Sequence, residues 1–536
     1  MNTLPPKESS AKHIESFDGD QPEDNRISSH APLEKPTKCM ILFACYISIS
    51  AMIYNFDLGY SGIVLLMQPF NAAFATCRPT QTADGATITK CTLTALEQGL
   101  TSLSILFIGL GATIGGFIGN YLGRRGTIQV GALVTAIGAA GMLGTKGNYT
   151  AYLACKSIQS VGLGHIIGAV PQYGVECISA SRRGLLMALF NVGLGIGNAS
   201  AAAVCLGTSH IHSDASWRIP IACQLPLSLL MGVGTLCFPE SPRWLLTRDR
   251  HDEARKSFAT FLQRDSNSPE VTRQLEVVQR YLRLEKQSGA TTNWTEIFHG
   301  IDRRRTLTST GILVGSAVVG SKFIQTYAAI FLAGVGFRNP YHITLVVAGC
   351  IAAGGICSPI ILETLGRRYS LLSGYTLLGL AMMIIATIGS TTDHTKTAVQ
   401  GSLTGFLCLW GFTYGGFIAT SVPVTAPEMH AVGLRTYGHA FATTVYEIFS
   451  FAASFSTPYM LSTKYGNMGT NVGYFFLGLS IAVGTFCYFF VPETGKLTLE
   501  EVDDIFLSRT PAPKTSYSKN KATARARTYT LGDASA

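Results

Sequence analysis

The chain has 536 residues, of which 47% are hydrophobic and only 14% are charged. A soluble domain carries roughly 25% charged residues, so this composition excludes an ordinary soluble globular protein. The formal net charge is +9, which basic loops on one side of a membrane explain without a nucleic-acid partner.

Twelve charge-poor segments follow one another along the chain, each close to the roughly 20 residues that a helix needs to cross a bilayer. Six precede a long polar stretch, 239–306, and six follow it. The predicted spans are 39–67, 95–118, 126–145, 149–176, 184–206, 217–238, 307–333, 343–362, 370–391, 398–424, 439–461 and 471–491.

These segments predict an all-α integral membrane protein with five regions. Both tails are expected to be cytosolic, and their polar composition predicts that they are disordered. The regions are an N-terminal tail (1–37), a six-helix bundle (38–238), a cytosolic linker with short helices (239–306), a second six-helix bundle (307–491) and a C-terminal tail (492–536).

The orientation follows from the basic residues and from the first segment. The first 36 residues contain no apolar stretch of the kind found in a cleaved signal peptide, so the first span should itself direct insertion. The Lys and Arg clusters all fall on one side if the N-terminus lies there, and that side is predicted to be the cytosol. Cys77 and Cys91 both fall in the first external loop, and the sequence leaves open whether they form a disulfide.

Three short markers occur twice, in the same order and about half a chain apart, which indicates two homologous halves. Such duplication is common in transporters. The pairs are Gly123-Arg124-Arg125 with Gly366-Arg367-Arg368, Pro171…Glu176…Arg183 with Pro423…Glu428…Arg435, and Pro239-Glu240-Ser241 with Pro492-Glu493-Thr494.

The charged members of these markers lie at the predicted cytosolic ends of the spans. Arginine and carboxylate pairs there could latch helices together in one conformation and release them in another, which would gate access from the cytosol. The alternative is simple solubilising charge with a positive-inside bias. The predicted latch residues are Arg124, Arg125, Glu176, Arg183, Glu240, Arg243, Glu363, Arg367, Arg368, Glu428, Arg435 and Glu493.

Several of these motifs resemble the sugar porter family of the major facilitator superfamily, over residues 38–506. The resemblance implies twelve helices in two six-helix repeats and a midplane site that opens alternately to each side. The motifs are Pro239-Glu-Ser-Pro-Arg-Trp-Leu245, Pro492-Glu-Thr-Gly-Lys-Leu-Thr-Leu-Glu-Glu501, Tyr173-x2-Glu176-x6-Arg183 and Trp217-Arg-Ile-Pro220…Gln224.

The chain departs from the family pattern at two of these motifs. Gly495 and Lys496 are swapped in the closing motif, and Asn120 stands where the family has an acid three residues before the first glycine. Glu363 keeps that acid in the second half. The first latch is therefore expected to be weaker, or to rely on Glu176 and Glu240 alone.

Ionisable residues inside predicted spans are expensive and mark functional sites by default. They are Asp57, Lys156, His165, Lys322 and Glu447. By its resemblance to the family, Asp57 should face Lys156, which replaces the usual arginine, and the pair is predicted to couple transport to protons. A static ion pair that ties two helices is the alternative.

The predicted substrate site differs from that of ordinary hexose carriers. Asn191 replaces a glutamine, Lys322 replaces an asparagine, and Tyr446-Glu447 stands where Asn-Trp is common. Lys322 could bind a substrate carboxylate or pair with Glu447, and both possibilities remain open. The predicted substrate-binding residues are Asn191, Gln224, Lys322, Gln325, Tyr327 and Glu447.

The resemblance implies a secondary active transporter of a sugar or sugar-like solute, coupled to protons, in the plasma membrane. No G-x-x-x-x-G-K-[ST] loop, catalytic triad or metal motif occurs, so we predict no enzyme activity, cofactor or metal. The expected partners are a small solute, protons and lipid, and we expect a monomer. The alternatives are a transporter of a hydroxylated organic acid, glycoside or secondary metabolite, by uptake or efflux, and a nutrient sensor that transports nothing.

Overall fold

The computed structural model of the chain describes residues 37–522, apart from 82–86, 146, 179–182, 290–293, 338, 394–395, 432–433 and 498. Helices form most of this part, and we number them in chain order. They are α1 (Lys38–Val64), α2 (Gln68–Phe74), α3 (Ala95–Leu100), α4 (Leu103–Gly144), α5 (Tyr149–Cys177), α6 (Arg183–Thr208), α7 (Ala215–Ala222), α8 (Gln224–Gly234), α9 (Pro242–Thr247), α10 (His251–Leu262), α11 (Pro269–Gly289), α12 (Gly300–Val318), α13 (Ser321–Gly334), α14 (Pro340–Leu365), α15 (Arg367–Thr391), α16 (Thr397–Thr413), α17 (Ala419–Glu428), α18 (Arg435–Leu461), α19 (Val472–Phe490) and α20 (Leu499–Leu507).

Each predicted span coincides with one of these helices, with part of one, or with consecutive helices. Ten helical stretches among the described residues are long and apolar enough to cross a bilayer. One of them, Ala95–Gly144, holds two predicted spans, because the chain turns within α4. The predicted span in α18 is not among the ten, since that helix carries His439, Glu447 and many hydroxyl side chains.

The turn within α4 depends on a glycine. Gly123 has φ 78° and ψ −177°, a conformation that is essentially restricted to glycine. The two arms of α4 pack on the same part of α5, because Gly111 and Gly138 both approach the backbone of residues 159–161. The arms therefore run back along each other. Gly366, between α14 and α15, has the same conformation, with φ 82° and ψ 179°.

A short β-hairpin follows α2, with antiparallel strands β1 (Cys77–Gln81) and β2 (Thr87–Cys91). Its first and last residues, Cys77 and Cys91, are paired across the strands and joined by a disulfide. We call the end of the bundle that carries this hairpin the hairpin end. The opposite end, with the turns at Gly123 and Gly366, is the basic end.

Hydrophobic packing forms one core in each half and a third core between them. The first-half core includes Phe43 of α1 and Tyr173 of α5. The second-half core includes Trp410 of α16. The third core joins Tyr60 of α1 to Tyr327 of α13, so the two halves share buried apolar surface.

The C-terminal tail is ordered over its described residues, which end at 522. Val502 and Phe506 of α20 are buried in the second-half core, and Asp503 forms an ion pair with Arg305 of α12. Residues 511–522 then return to the basic end, where the structure packs them against the second half. The prediction of disorder is therefore wrong for residues 501–522, because their apolar side chains have a surface to bury against.

Candidate functional site

A buried ion pair joins α1 to α5 within the first half. Lys156 Nζ lies 2.6 Å from Asp57 Oδ1, and both side chains are almost fully buried. Lys156 Nζ also donates to Tyr60 OH at 3.1 Å and to Gln159 Oε1 at 3.3 Å. The structure therefore brings the predicted pair together, and two further polar side chains hold the ammonium in place.

This group contains polar atoms that have no hydrogen-bond partner within the described part of the chain. They are Asp57 Oδ2, Gln159 Nε2 and Gln224 Oε1. Gln224, which we predicted to bind substrate, donates to Asp57 Oδ1 at 3.4 Å and so belongs to this buried group. The unpartnered Oδ2 leaves lone pairs on the carboxylate that can accept a proton.

Sequence reasoning missed Tyr60 and Gln159, although a local signal was present. Each lies three residues after a member of the ion pair, Asp57 or Lys156. Residues three apart share a helix face, so both side chains point to the same interface as the charge they follow. His165, on the same α5 helix, is instead tied to its own helix, with Nδ1 2.8 Å from Val161 O.

The second group lies where α12 gives way to α13. Gly320 has φ 93° and ψ 8°, and this left-handed residue separates the two helices in the middle of the predicted seventh span. Lys322 follows in the first turn of α13 and is 6% exposed. Its Nζ lies 5.8 Å from the centre of the Tyr446 ring on α18.

Glu447 does not pair with Lys322. Within the described residues, neither side chain forms an ion pair or a hydrogen bond, although they lie close enough to interact electrostatically. The Glu447 side chain instead packs against Gly109 on α4 of the other half, where an added Cβ would lie 3.3 Å from Glu447 Cγ. The predicted Lys–Glu pair, one of our two possibilities, is thus not formed in this structure.

The remaining predicted substrate residues lie at different places. Tyr327 is fully buried, and its hydroxyl lies 3.2 Å from Ser102 Oγ and donates to Gln98 O at 3.1 Å. This hydroxyl is therefore committed to joining α13 to the first half. Gln325 is half-buried in α13, and Asn191 lies on α6 with its backbone oxygen beside α14.

At the basic end, the first half holds a bidentate latch. Arg124 donates from Nε and Nη2 to Glu176 at 3.0 and 2.8 Å. Glu240 accepts the backbone N–H groups of Arg124 and Arg125 at 3.0 and 3.2 Å. Ser241 Oγ donates to Glu176 at 2.6 Å, a contact that sequence reasoning missed.

The second half repeats this latch with one arginine contact fewer. Arg367 Nη2 lies 3.3 Å from Glu428, and Thr494 Oγ1 donates to the same carboxylate at 2.6 Å. Glu493 is fully buried and accepts the backbone N–H groups of Arg367 and Arg368 at 3.0 and 3.1 Å. The doubled motifs thus produce nearly the same arrangement twice, in which a glutamate accepts two backbone N–H groups at the glycine turn. We call this arrangement the cage.

Burial raises the pKa of both caged carboxyl groups, Glu240 and Glu493, while the backbone N–H groups that they accept act in the opposite direction. Both lie outside the predicted spans. They therefore titrate at a higher pH than an ordinary glutamate.

Three predicted latch residues make other contacts, make no ion pair, or have a side chain outside the described part of the chain. The Arg368 guanidinium donates to the backbone oxygens of Tyr488 and Val491 at the end of α19. The Glu363 side chain is exposed and forms no ion pair among the described residues. The side chain of Arg183 lies outside the described part. Arg243 and Arg435 lie at the basic end, at the starts of α9 and α18.

An aromatic side chain covers each glycine turn. Trp244 of α9 packs on Gly123, and its Nε1 donates to Asn120 O at 3.1 Å. Tyr517 of the C-terminal tail packs on Gly366, and its hydroxyl donates to Glu363 O at 2.6 Å. Asn120 and Glu363 occupy equivalent positions, three residues before each turn. Each accepts the hydrogen bond of the covering aromatic residue with its backbone carbonyl and not with its side chain.

Comparison with known proteins decides the family. The model for "Sugar (and other) transporter" matches residues 43–506. The chain belongs to this family. Among the described residues, no group of three His, Cys, Asp or Glu side chains could hold a metal ion.

Individual relatives are similar over most of this family member. The high-affinity fructose transporter ght6 of Schizosaccharomyces pombe is 25% identical, and the match covers 87% of each chain. The high glucose sensor RGT2 of Saccharomyces cerevisiae is 26% identical over 76% of this chain and 54% of the sensor. The proton:xylose symporter XylE from E. coli superposes with a TM-score of 0.67 at 16% identity, covering 87% of this chain and 99% of XylE.

These findings confirm the predicted family and the major facilitator fold of twelve transmembrane helices in two six-helix repeats. The protein is a multi-pass membrane protein of a transporter family. The boundaries of the five predicted regions, 1–37, 38–238, 239–306, 307–491 and 492–536, stay predictions, as do the roles of the site residues.

Proposed function

We propose that this protein is a secondary active transporter that moves a sugar or sugar-like solute across the plasma membrane by alternating access, coupled to protons. The observation that carries this proposal is the buried Asp57–Lys156 pair, with its unpartnered Oδ2. The names of ght6, a fructose transporter, and XylE, a proton:xylose symporter, agree with it.

The coupling step follows from the cost of burying a charge. While Lys156 stays within 2.6 Å, the carboxylate of Asp57 is compensated. If helix movement separates α1 from α5, the isolated carboxylate is stabilised by taking up a proton. A pair that forms and breaks during the cycle would therefore load and release one proton per turn.

Contacts between the halves support a conformation that is closed at the hairpin end. Ser102 Oγ, at the residue just before α4, lies 2.7 Å from Ser454 Oγ on α18, and Tyr327 joins the same cluster. Gly62 of α1 packs directly on the backbone of Thr326. At the basic end, Arg124 and Arg367 pair with carboxylates of their own halves. We infer that solute reaches the site from the basic end, which we propose to be cytosolic.

The test replaces Asp57 by Asn in full-length protein reconstituted into liposomes. Uptake driven by a pH gradient should be lost, while exchange of labelled solute across equal concentrations should persist. Asp265→Asn, which changes an exposed aspartate after α10, is the control and should keep gradient-driven uptake. Unchanged gradient-driven uptake in D57N would contradict proton coupling at this pair.

The same assay separates the alternative functions. Accumulation of hydroxylated acids or glycosides in place of sugars would identify a different substrate class, and outward transport would identify efflux. The match to the glucose sensor RGT2 raises a third possibility. Binding of a solute without uptake or exchange would favour a sensor.

A further inference from the structure

The break between α12 and α13 places the start of a helix inside the bundle. The left-handed Gly320 ends one helix, and the 14-residue helix α13 begins at Ser321. The first hydrogen bond of α13 runs from Ile324 N to Gly320 O at 3.0 Å. The N–H groups before it have no intrahelical acceptor, and they carry the positive end of the helix dipole.

Lys322 adds a full positive charge at the same point. The residue is buried, with 6% of its surface exposed, and its side chain forms no hydrogen bond or ion pair with any described residue. Ser321 does not compensate it, because the serine hydroxyl donates to Ser316 O at 2.7 Å. Two sources of positive potential therefore lie close together, and no carboxylate of the described residues forms an ion pair with Lys322.

The neighbours of Lys322 are aromatic and polar, and they come from three parts of the chain. Tyr446 of α18 presents its ring at 5.8 Å from Nζ. Tyr54 of α1, Tyr414 after α16 and Glu447 of α18 lie close enough to interact electrostatically. Glu447 is the one carboxylate among these neighbours; it forms no ion pair with Nζ, and its Cγ packs against Gly109 of the first half.

Lys322 Nζ has no bonded counter-ion among the described residues. Removing a cation from water costs several kcal/mol unless an opposite charge and hydrogen bonds compensate it. Half-helix N-termini at the midplane of transporters bind anionic groups of substrates for the same electrostatic reason. A bound anion would satisfy Lys322 and the free N–H groups together.

We propose that this site takes a hydroxylated monocarboxylate, a sugar acid rather than a neutral sugar. Its carboxylate binds Lys322 Nζ and the N-terminal N–H groups of α13. Its hydroxyl groups donate to Glu447 and bond the amide of Gln325, while the Tyr446 ring covers one side. The inference rests on the proposed transport function and specifies its substrate class.

The experiment measures binding and uptake of matched acids and neutral sugars by the full-length protein. The probes are D-gluconate and D-glucuronate, each against D-glucose and sorbitol, with thermal unfolding in detergent and uptake in liposomes. An acid should raise the unfolding temperature and be accumulated more than its neutral counterpart. Lys322→Gln should weaken acid binding by about 10- to 100-fold, the range expected for one hydrogen bond to a charged group. Lys322→Arg, which keeps the charge, should retain most of the binding.

Unfolding without ligand gives a second, independent readout. If Lys322 is an unpaired buried cation, Lys322→Gln should raise the unfolding temperature of the empty protein, because the uncompensated charge is gone. If Lys322 were paired with Glu447, the same variant would lower it, and so would Glu447→Gln. A lowered temperature in both variants overturns the proposal.

The uptake results separate this inference from the proposed function. Neutral sugars carried as well as the acids, or acid binding retained in K322Q, would overturn the acid site and leave the sugar transporter intact. No uptake or exchange of any acid or neutral sugar would overturn both.

Discussion

The two glycine turns at the basic end have the same backbone cage and different covers. Around Gly123 a half-buried glutamate, and around Gly366 a buried one, accepts two consecutive backbone N–H groups. Trp244 covers the first turn from four residues beyond Glu240, whereas Tyr517 covers the second from the far C-terminal tail. The cage follows from the duplicated motif, whereas the aromatic side chain that covers it comes from a different part of the sequence in each half.

The comparison also shows which atoms are used at the position three residues before each glycine. The structure uses only the backbone carbonyl at Asn120 and at Glu363. The first latch, which has the asparagine, is the one with two arginine contacts to its carboxylate. Its contacts go to Glu176 and Glu240, and their action as a latch stays a prediction.

The largest loss of transport and stability should come from substitutions at the two glycine turns themselves. In Gly123→Ala and Gly366→Ala, the new methyl group would meet the caged carboxylate, in a conformation that costs non-glycine residues about 1–3 kcal/mol. Both variants should lose transport and unfold at a lower temperature. Gly116→Ala, where an added Cβ meets nothing within 4 Å, is the matched control and should behave as wild type. Normal transport in either turn variant would show that the turn tolerates a side chain.

A smaller loss of stability is expected from changes to the two aromatic side chains that cover the turns. Trp244→Phe and Tyr517→Phe each remove one hydrogen bond to a carbonyl, and each should cost about 0.5–1.5 kcal/mol. A stop codon after Thr510 should add the loss of packing on Gly366 and destabilise the second half only. Hydrogen exchange of the Arg124 and Arg367 amides would report the two cages separately. Equal loosening of both cages by the truncation would contradict a local role for the tail.

The smallest change in stability should follow from substitutions at Asn120 and Glu363, the equivalent positions that differ between the halves. Asn120→Asp and Glu363→Gln alter exposed side chains whose backbone carbonyls do the bonding, so each should change stability by less than about 0.5 kcal/mol. Uptake rates should stay within the error of the wild type. A clear loss of transport in E363Q would show that its carboxylate acts in another conformation of the cycle.

Much of the scaffold could be predicted because it depends on local patterns. Charge-poor segments located the twelve spans, and the doubled motifs predicted that arginines and glutamates gather at the basic end of each half. Tyr60 and Gln159 were also accessible in principle, since each shares a helix face with Asp57 or Lys156.

Other features depend on contacts between distant parts of the chain. No local pattern places Tyr517 on Gly366, because the two are brought together only by the docking of α20. The same reason hid the role of Glu447, whose neighbour Gly109 lies in the other half. Gln224 was assigned to the substrate on family resemblance, but the fold places it beside Asp57.

The cystine between Cys77 and Cys91 has a consequence for the side of the membrane on which each end lies. Such bonds persist in oxidising compartments, outside the cell or in the secretory pathway, and are rare where glutathione keeps thiols reduced. We therefore expect the hairpin end to face the exterior. This expectation is independent of the arginine and lysine distribution, yet it gives the same orientation. An impermeant reductant added to intact cells should make both cysteines available to an impermeant maleimide.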